Sequence, residues 1–93
     1  MIHFVLHDAH DSVAVVVVEG VKAGMALKGW IMDEDRLIDL VAQQDIPIGH
    51  KVALKNMVPG DTVLKYGIDM GKVIGPIKAG EHAHVQNIKT KRW

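Results

Sequence analysis

Ile46-Pro47-Ile48-Gly49-His50-Lys51-Val52 is the stretch on which the reading of the fold turns. It runs apolar residue, two positions, glycine, two positions, apolar residue. The same frame recurs as Val21-Lys22-Ala23-Gly24-Met25-Ala26-Leu27, Met57-Val58-Pro59-Gly60-Asp61-Thr62-Val63 and Ile77-Lys78-Ala79-Gly80-Glu81-His82-Ala83. Glycine accepts a positive φ without steric cost, and a proline near two of the copies narrows the backbone further. Each copy therefore reads as a tight turn that delivers the chain into a strand. Four such turns in 93 residues imply a mainly β, folded-over architecture.

Outward from these turns, alternation and β-branched content predict strands over 2–6, 12–18, 25–32, 36–42, 51–55, 62–65, 72–74 and 82–88. Asp33-Glu34-Asp35-Arg36 reads as a solvated hairpin tip between two of them. A short helix over 37–44 is the one alternative, because Leu37, Leu40 and Val41 fall at helical spacing. No linker or low-complexity stretch divides the chain, so residues 1–93 are read as one domain. At that size the core is modest and strand edges need cover, which favours association with a partner or with further copies of the chain.

Composition excludes several classes of function. There is no cysteine, hence no disulfide, no thiolate nucleophile and no thiolate ligand. Eleven basic and eleven acidic residues cancel, and the basic cluster is confined to Lys89-Thr90-Lys91-Arg92, so the broad positive stripe of a nucleic-acid binder is missing. The longest apolar run, Val13 to Val18, has the length of a strand and not of a membrane span. The start Met1-Ile2-His3-Phe4-Val5 lacks the pattern of an export signal, which makes a cytoplasmic location the expectation. P-loop, dinucleotide fingerprint, HExxH and GxSxG motifs are all missing.

Four polar clusters are left to carry chemistry. In Glu81-His82-Ala83-His84-Val85-Gln86-Asn87 a strand would put His82, His84 and Gln86 on one face, where two neutral imidazoles can share a divalent metal or serve as hydrogen-bonded structural histidines. Asp11 and Ser12 read as turn makers that can also meet a substrate's hydroxyl groups. At Gly49-His50-Lys51 the glycine lets the backbone approach an anion and the lysine supplies charge. At Lys65-Tyr66-Gly67 a lysine can neutralise a carboxylate and a tyrosine can donate a hydrogen bond, while a plain turn explains the same letters. Six histidines in so short a chain add weight to a polar or metal-related surface.

Taken in order, Asp11-Ser12-Val13-Ala14-Val15, Ile46 through Leu54, Val63-Leu64-Lys65-Tyr66-Gly67 and Gly80 through Asn87 resemble the SAF-type domain of altronate and galactarate dehydratases, a pattern that also occurs as the small subunit of split dehydratases and of sulfolactate sulfo-lyase. The chain departs from the dehydratase pattern at Ser12, where asparagine is usual, and at Gln86, where a third histidine is usual. The resemblance implies a β-clip fold, a separate large catalytic subunit and elimination of water or sulfite from a small acid, with a divalent metal, iron or magnesium, in the assembled enzyme. On that basis Asp11, Ser12, Gly49, His50, Lys51, Lys65 and Tyr66 are the expected substrate-side residues and His82 and His84 the expected metal pair. No general base is assigned. A non-catalytic module that binds a small acid or holds subunits together is the alternative.

Overall fold

A computed structural model of the chain describes residues 1–84 and 86–90. All nine regular elements among the described residues are strands: β1 Phe4–Leu6, β2 Val13–Val16, β3 Ala26–Ile31, β4 Arg36–Val41, β5 Lys51–Ala53, β6 Thr62–Lys65, β7 Ile68–Val73, β8 His82–Ala83 and β9 Ile88–Thr90. They form a six-stranded sheet in the order β4-β3-β1-β2-β5-β8 and a three-stranded sheet in the order β6-β7-β9. β1 and β3 run parallel, and the other strand pairs are antiparallel. Among the described residues no helix is long and apolar enough to cross a membrane. Lys91 and Arg92 of the basic tail and Val85 lie outside the described residues.

The repeated frame builds this architecture. In every copy the glycine has a φ between 84° and 95° and sits third in a four-residue turn, the position where a type II turn demands a positive φ. The turn closes through Met25 N–H to Lys22 O, His50 N–H to Pro47 O, Asp61 N–H to Val58 O and Glu81 N–H to Lys78 O, at 3.0 to 3.1 Å. Each glycine N–H then donates to a carbonyl beyond its own turn, those of Ala42, Val16, Val73 and Ala53, at 2.7 to 2.8 Å. The first apolar residues pair as isolated antiparallel bridges, Val21 with Ile46 and Met57 with Ile77.

The apolar ends of the four copies supply the two cores. Val21, Leu27, Ile46 and Val52 pack with Phe4, Leu6, Val16 and Ile31, whereas Met57, Val63, Ile77 and Ala83 pack with Val73, Met70 and Ile88. β2 and β5 serve both: Ala14, Val16 and Val52 point into the first core, Val13 and Ala53 into the second. A strand buried on both faces reads as a continuous apolar run, which is why Val13 to Val18 lacks polar alternation.

Residues 36–41 form the expected strand and not the alternative helix, because all six residues of β4 pair with β3, Arg36 with Ile31 through Val41 with Ala26. Two expectations are corrected. The strand expected over 72–74 begins at Ile68, since a register shift between Val63 and Leu64 lets the β6–β7 hairpin run through Gly71. The strand expected over 82–88 is broken: β8 ends at Ala83 and a turn follows, in which Asn87 N–H and Ile88 N–H both donate to His84 O. Asp33 to Asp35 do form the β3–β4 tip, with Asp35 at φ 47° and its carboxylate accepting from Trp30 Nε1 at 3.0 Å.

The four turn glycines are not equivalent. An added Cβ meets nothing within 4 Å at Gly24, Gly49 or Gly60, but at Gly80 it would stand 2.2 Å from Val41 O. Alanine at Gly24 is therefore expected to cost about 1–2 kcal/mol, the left-handed penalty alone, and alanine at Gly80 about 2–3 kcal/mol because backbone must also move. Urea unfolding of the two variants checks the order, and equal losses would contradict the packing at Gly80.

Candidate functional site

β5 and β8 are neighbours, with Lys51 opposite Ala83 and Val52 opposite His82. Both strands are launched by glycine turns, so His50, directly after Gly49, comes to lie beside the residues that follow Gly80. His50 Nδ1 is 2.8 Å from His82 Nε2. The His84 ring stacks on His50 with centroids 4.2 Å apart and lies 5.8 Å from the His82 ring, near parallel at 13°. Three histidines thus form one cluster, and the expected pair His82 and His84 gains His50 as its centre.

His82 is pinned from several sides. Its N–H donates to Gln44 Oε1 at 2.8 Å, and its carbonyl accepts from Asn87 Nδ2 at 2.9 Å and Gln86 Nε2 at 3.2 Å. His84 N–H donates to Asn87 Oδ1 at 3.0 Å. Gln44 and Asn87 are supports that the sequence alone did not single out. Asn87 stood inside an expected strand, and Gln44 lies 38 residues from its partner with no local signal.

Lys51 is buried, with 6% of its surface exposed, and it links this cluster to the β6–β7 hairpin. Burial, and after it the charge of Lys65, holds the Lys51 ammonium below the ordinary lysine range. Lys51 in turn acts on His84, whose pKa is lowered by burial first, then by His50 and Lys51. His82 is lowered by burial first, then by His50 and His84. Lys65 Nζ lies 5.6 Å from the centroid of the Tyr66 ring, and His7 meets that ring edge-on at 5.9 Å. Lys51 thus feels Lys65 on the β6–β7 hairpin and itself acts on His84.

Asp11 and Ser12 have a different place. Asp11 is 1% exposed, and its carboxylate accepts from the N–H groups of Tyr66 at 2.9 Å, Gly67 at 2.8 Å, His7 at 3.1 Å and Asp8 at 3.3 Å. Ser12 Oγ accepts from Leu64 N–H at 3.1 Å, while Ser12 N–H donates to Leu64 O at 2.8 Å. Both residues clamp the β6–β7 hairpin, which carries Lys65 and Tyr66, to the loop before β2. Gly49 contributes through its turn and its N–H bond to Val16 O.

Both ring nitrogens of His82 are engaged within the chain, Nε2 with His50 and Nδ1 with Gln86 Nε2 at 3.3 Å. Among the described residues no group of three or more His, Cys, Asp or Glu is set to hold a metal ion.

The lowered histidines make stability depend on pH with a defined sign. Unfolded rings take up protons near pH 6.5, the folded His82 and His84 only at lower pH, so between those values the unfolded chain binds more protons and acid favours it. The urea midpoint is expected to fall as pH drops below about 6.5, and the double substitution of His82 and His84 by glutamine is expected to flatten that slope. A slope that survives the double substitution would assign it to other groups.

The comparison of sequences gives this β fold and its histidine cluster a family. The chain belongs to the altronate/galactarate dehydratase SAF domain family, whose profile spans residues 2–91. Within it, the chain is 54% identical over 92 residues to the (2R)-sulfolactate sulfo-lyase subunit alpha of Chromohalobacter salexigens, an alignment covering 99% of this chain and 98% of that one. The subunit of the same name from Paracoccus pantotrophus is 59% identical over 54 residues, 58% of this chain and 81% of that one. The altronate dehydratase of Bacillus subtilis is 40% identical over 53 residues, which make up 57% of this chain and 11% of that enzyme.

Proposed function

We propose that this chain is the small subunit of a two-part lyase that eliminates sulfite from a short hydroxy acid of the sulfolactate kind, working with a separate large subunit that carries most of the catalytic apparatus. The observation that carries the reading is the end-to-end match to a sulfo-lyase subunit, 98% of that protein's length, against 11% for the altronate dehydratase. A substrate with a carboxylate at one end and a sulfonate at the other needs cationic and N–H groups, and in this reading His50, Lys51, Lys65 and Tyr66 supply them.

In the reaction a base removes the proton next to the carboxylate. Sulfite then departs from the neighbouring carbon with the electron pair of the C–S bond, leaving a carbon–carbon double bond. This chain's share is to neutralise the acid groups through Lys51 and Lys65 and to hold oxygen atoms through His50 and Tyr66. His82 and His84 keep His50 in place. A divalent metal, iron or magnesium, belongs in this reading to the large subunit, as does the general base.

The test is to purify the chain alone and together with the large subunit encoded beside it, then to measure sulfite release from (2R)-sulfolactate and water loss from altronate. Turnover of sulfolactate by the mixture and by neither part alone is the expected result. Turnover of altronate instead would make the chain a dehydratase subunit. A stable complex without turnover of either acid would replace the lyase reading by that of an assembly module.

A further inference from the structure

We infer that Gln86 is a positioning residue that fixes the direction of a hydrogen-bond chain through His82 to His50, so that the cluster presents an N–H of His50 in place of a bare ring nitrogen. The argument starts at a carbonyl. His82 O can only accept, so the Gln86 group 3.2 Å from it must be the amide nitrogen and not the amide oxygen. That same nitrogen is 3.3 Å from His82 Nδ1 and can only donate, so Nδ1 accepts. A neutral imidazole has one accepting and one donating nitrogen, hence the His82 proton is on Nε2. Nε2 lies 2.8 Å from His50 Nδ1, which therefore accepts as well, and the His50 proton is on Nε2.

Two features keep the chain in one direction. The His82 backbone is fixed by Gln44 and Asn87, so its carbonyl cannot turn away from Gln86. The stacking of His84 on His50 at 4.2 Å holds the His50 ring beside its donor. A consequence, which rests on the lyase reading above, is that His50 meets the acid substrate as a hydrogen-bond donor to an oxygen and not as a base.

The tautomers are readable without any turnover, so the test is independent of the lyase reading. The full chain, labelled with 15N at histidine, is examined in mildly alkaline solution by long-range 1H–15N correlation, which separates protonated from bare ring nitrogens. The expected result is a bare Nδ1 and a protonated Nε2 on both His82 and His50. Gln86→Glu replaces the donor by a carboxylate that can only accept and is expected to reverse both rings. Gln86→Met, which keeps the bulk and removes the donor, is expected to give a mixture of tautomers. A protonated Nδ1 on His82 in the unaltered chain would overturn the inference, and so would a Gln86→Glu chain with both rings unchanged.

Discussion

Replacing Asp11 with alanine is expected to remove about 3–5 kcal/mol of folding stability, most of the margin of a chain this small. One carboxylate gathers four backbone N–H groups from two segments that are far apart in sequence, those of His7 and Asp8 on one side and Tyr66 and Gly67 on the other. Its loss leaves the donors of Tyr66 and Gly67 unmet in a part-buried setting, each at about 1–3 kcal/mol. It also removes what holds Tyr66 at φ 54°, a conformation that a bulky residue adopts only under constraint. Asp11→Asn keeps one accepting oxygen and turns an amide group towards donors, so its loss is expected to be about half as large. Urea unfolding followed by tryptophan fluorescence and far-UV circular dichroism measures both. A loss below about 1 kcal/mol for Asp11→Ala would mean that water or neighbouring groups replace the carboxylate, and the clamp would not be what sets the hairpin.

The same residue shows where the sequence stops being legible. Asp11 reads as a turn maker from its neighbours alone, and it does bind His7 and Asp8. Its partners 55 and 56 residues away lie beyond any local pattern. The glycine frame was readable because φ and apolar spacing are local properties, and the four copies account for the turns, the two bridges and much of both cores. The expected strand over 82–88 fails because alternation cannot show that the Asn87 side chain reaches back to His84 N–H and His82 O, closing a turn in place of an extended face. β7 runs on through Gly71, where the register shift between Val63 and Leu64 lets the pairing continue, and no local pattern shows such a shift.

For the candidate site the residue types were legible and their grouping was not. His50 and His82 are 32 positions apart, and what joins them is the pairing of β5 with β8. Two copies of one frame each deliver a strand, so the repeat itself held the signal that residues just after Gly49 and just after Gly80 would meet. Asp11 and Ser12, expected on the substrate side, are buried and hydrogen-bond to the backbone of Leu64, Tyr66 and Gly67.

Lys51→Met is expected to separate stability from function. Methionine has nearly the length and shape of the lysine stem, so the fold should change by less than about 1.5 kcal/mol. The charge is another matter. Lys51 is almost fully buried, its charge is felt by His84 and it feels that of Lys65, and a cation held there acts on an anion with little screening by water. Removing one such preorganised group from a site where charge develops typically costs 10²–10³-fold in rate, so on the function proposed above kcat/KM of the assembled complex for sulfolactate is expected to fall by about that factor, equivalent to about 2.7–4.1 kcal/mol. Lys28→Met is the control: Lys28 pairs with Asp39 at 2.6 Å on the exposed face of β3 and β4, and its removal is expected to change neither rate nor stability by much. Steady-state sulfite release by complexes carrying each variant decides the matter. If Lys51→Met stays within about threefold of the unaltered complex, the anion is held elsewhere, and the buried lysine belongs to the fold and not to the site.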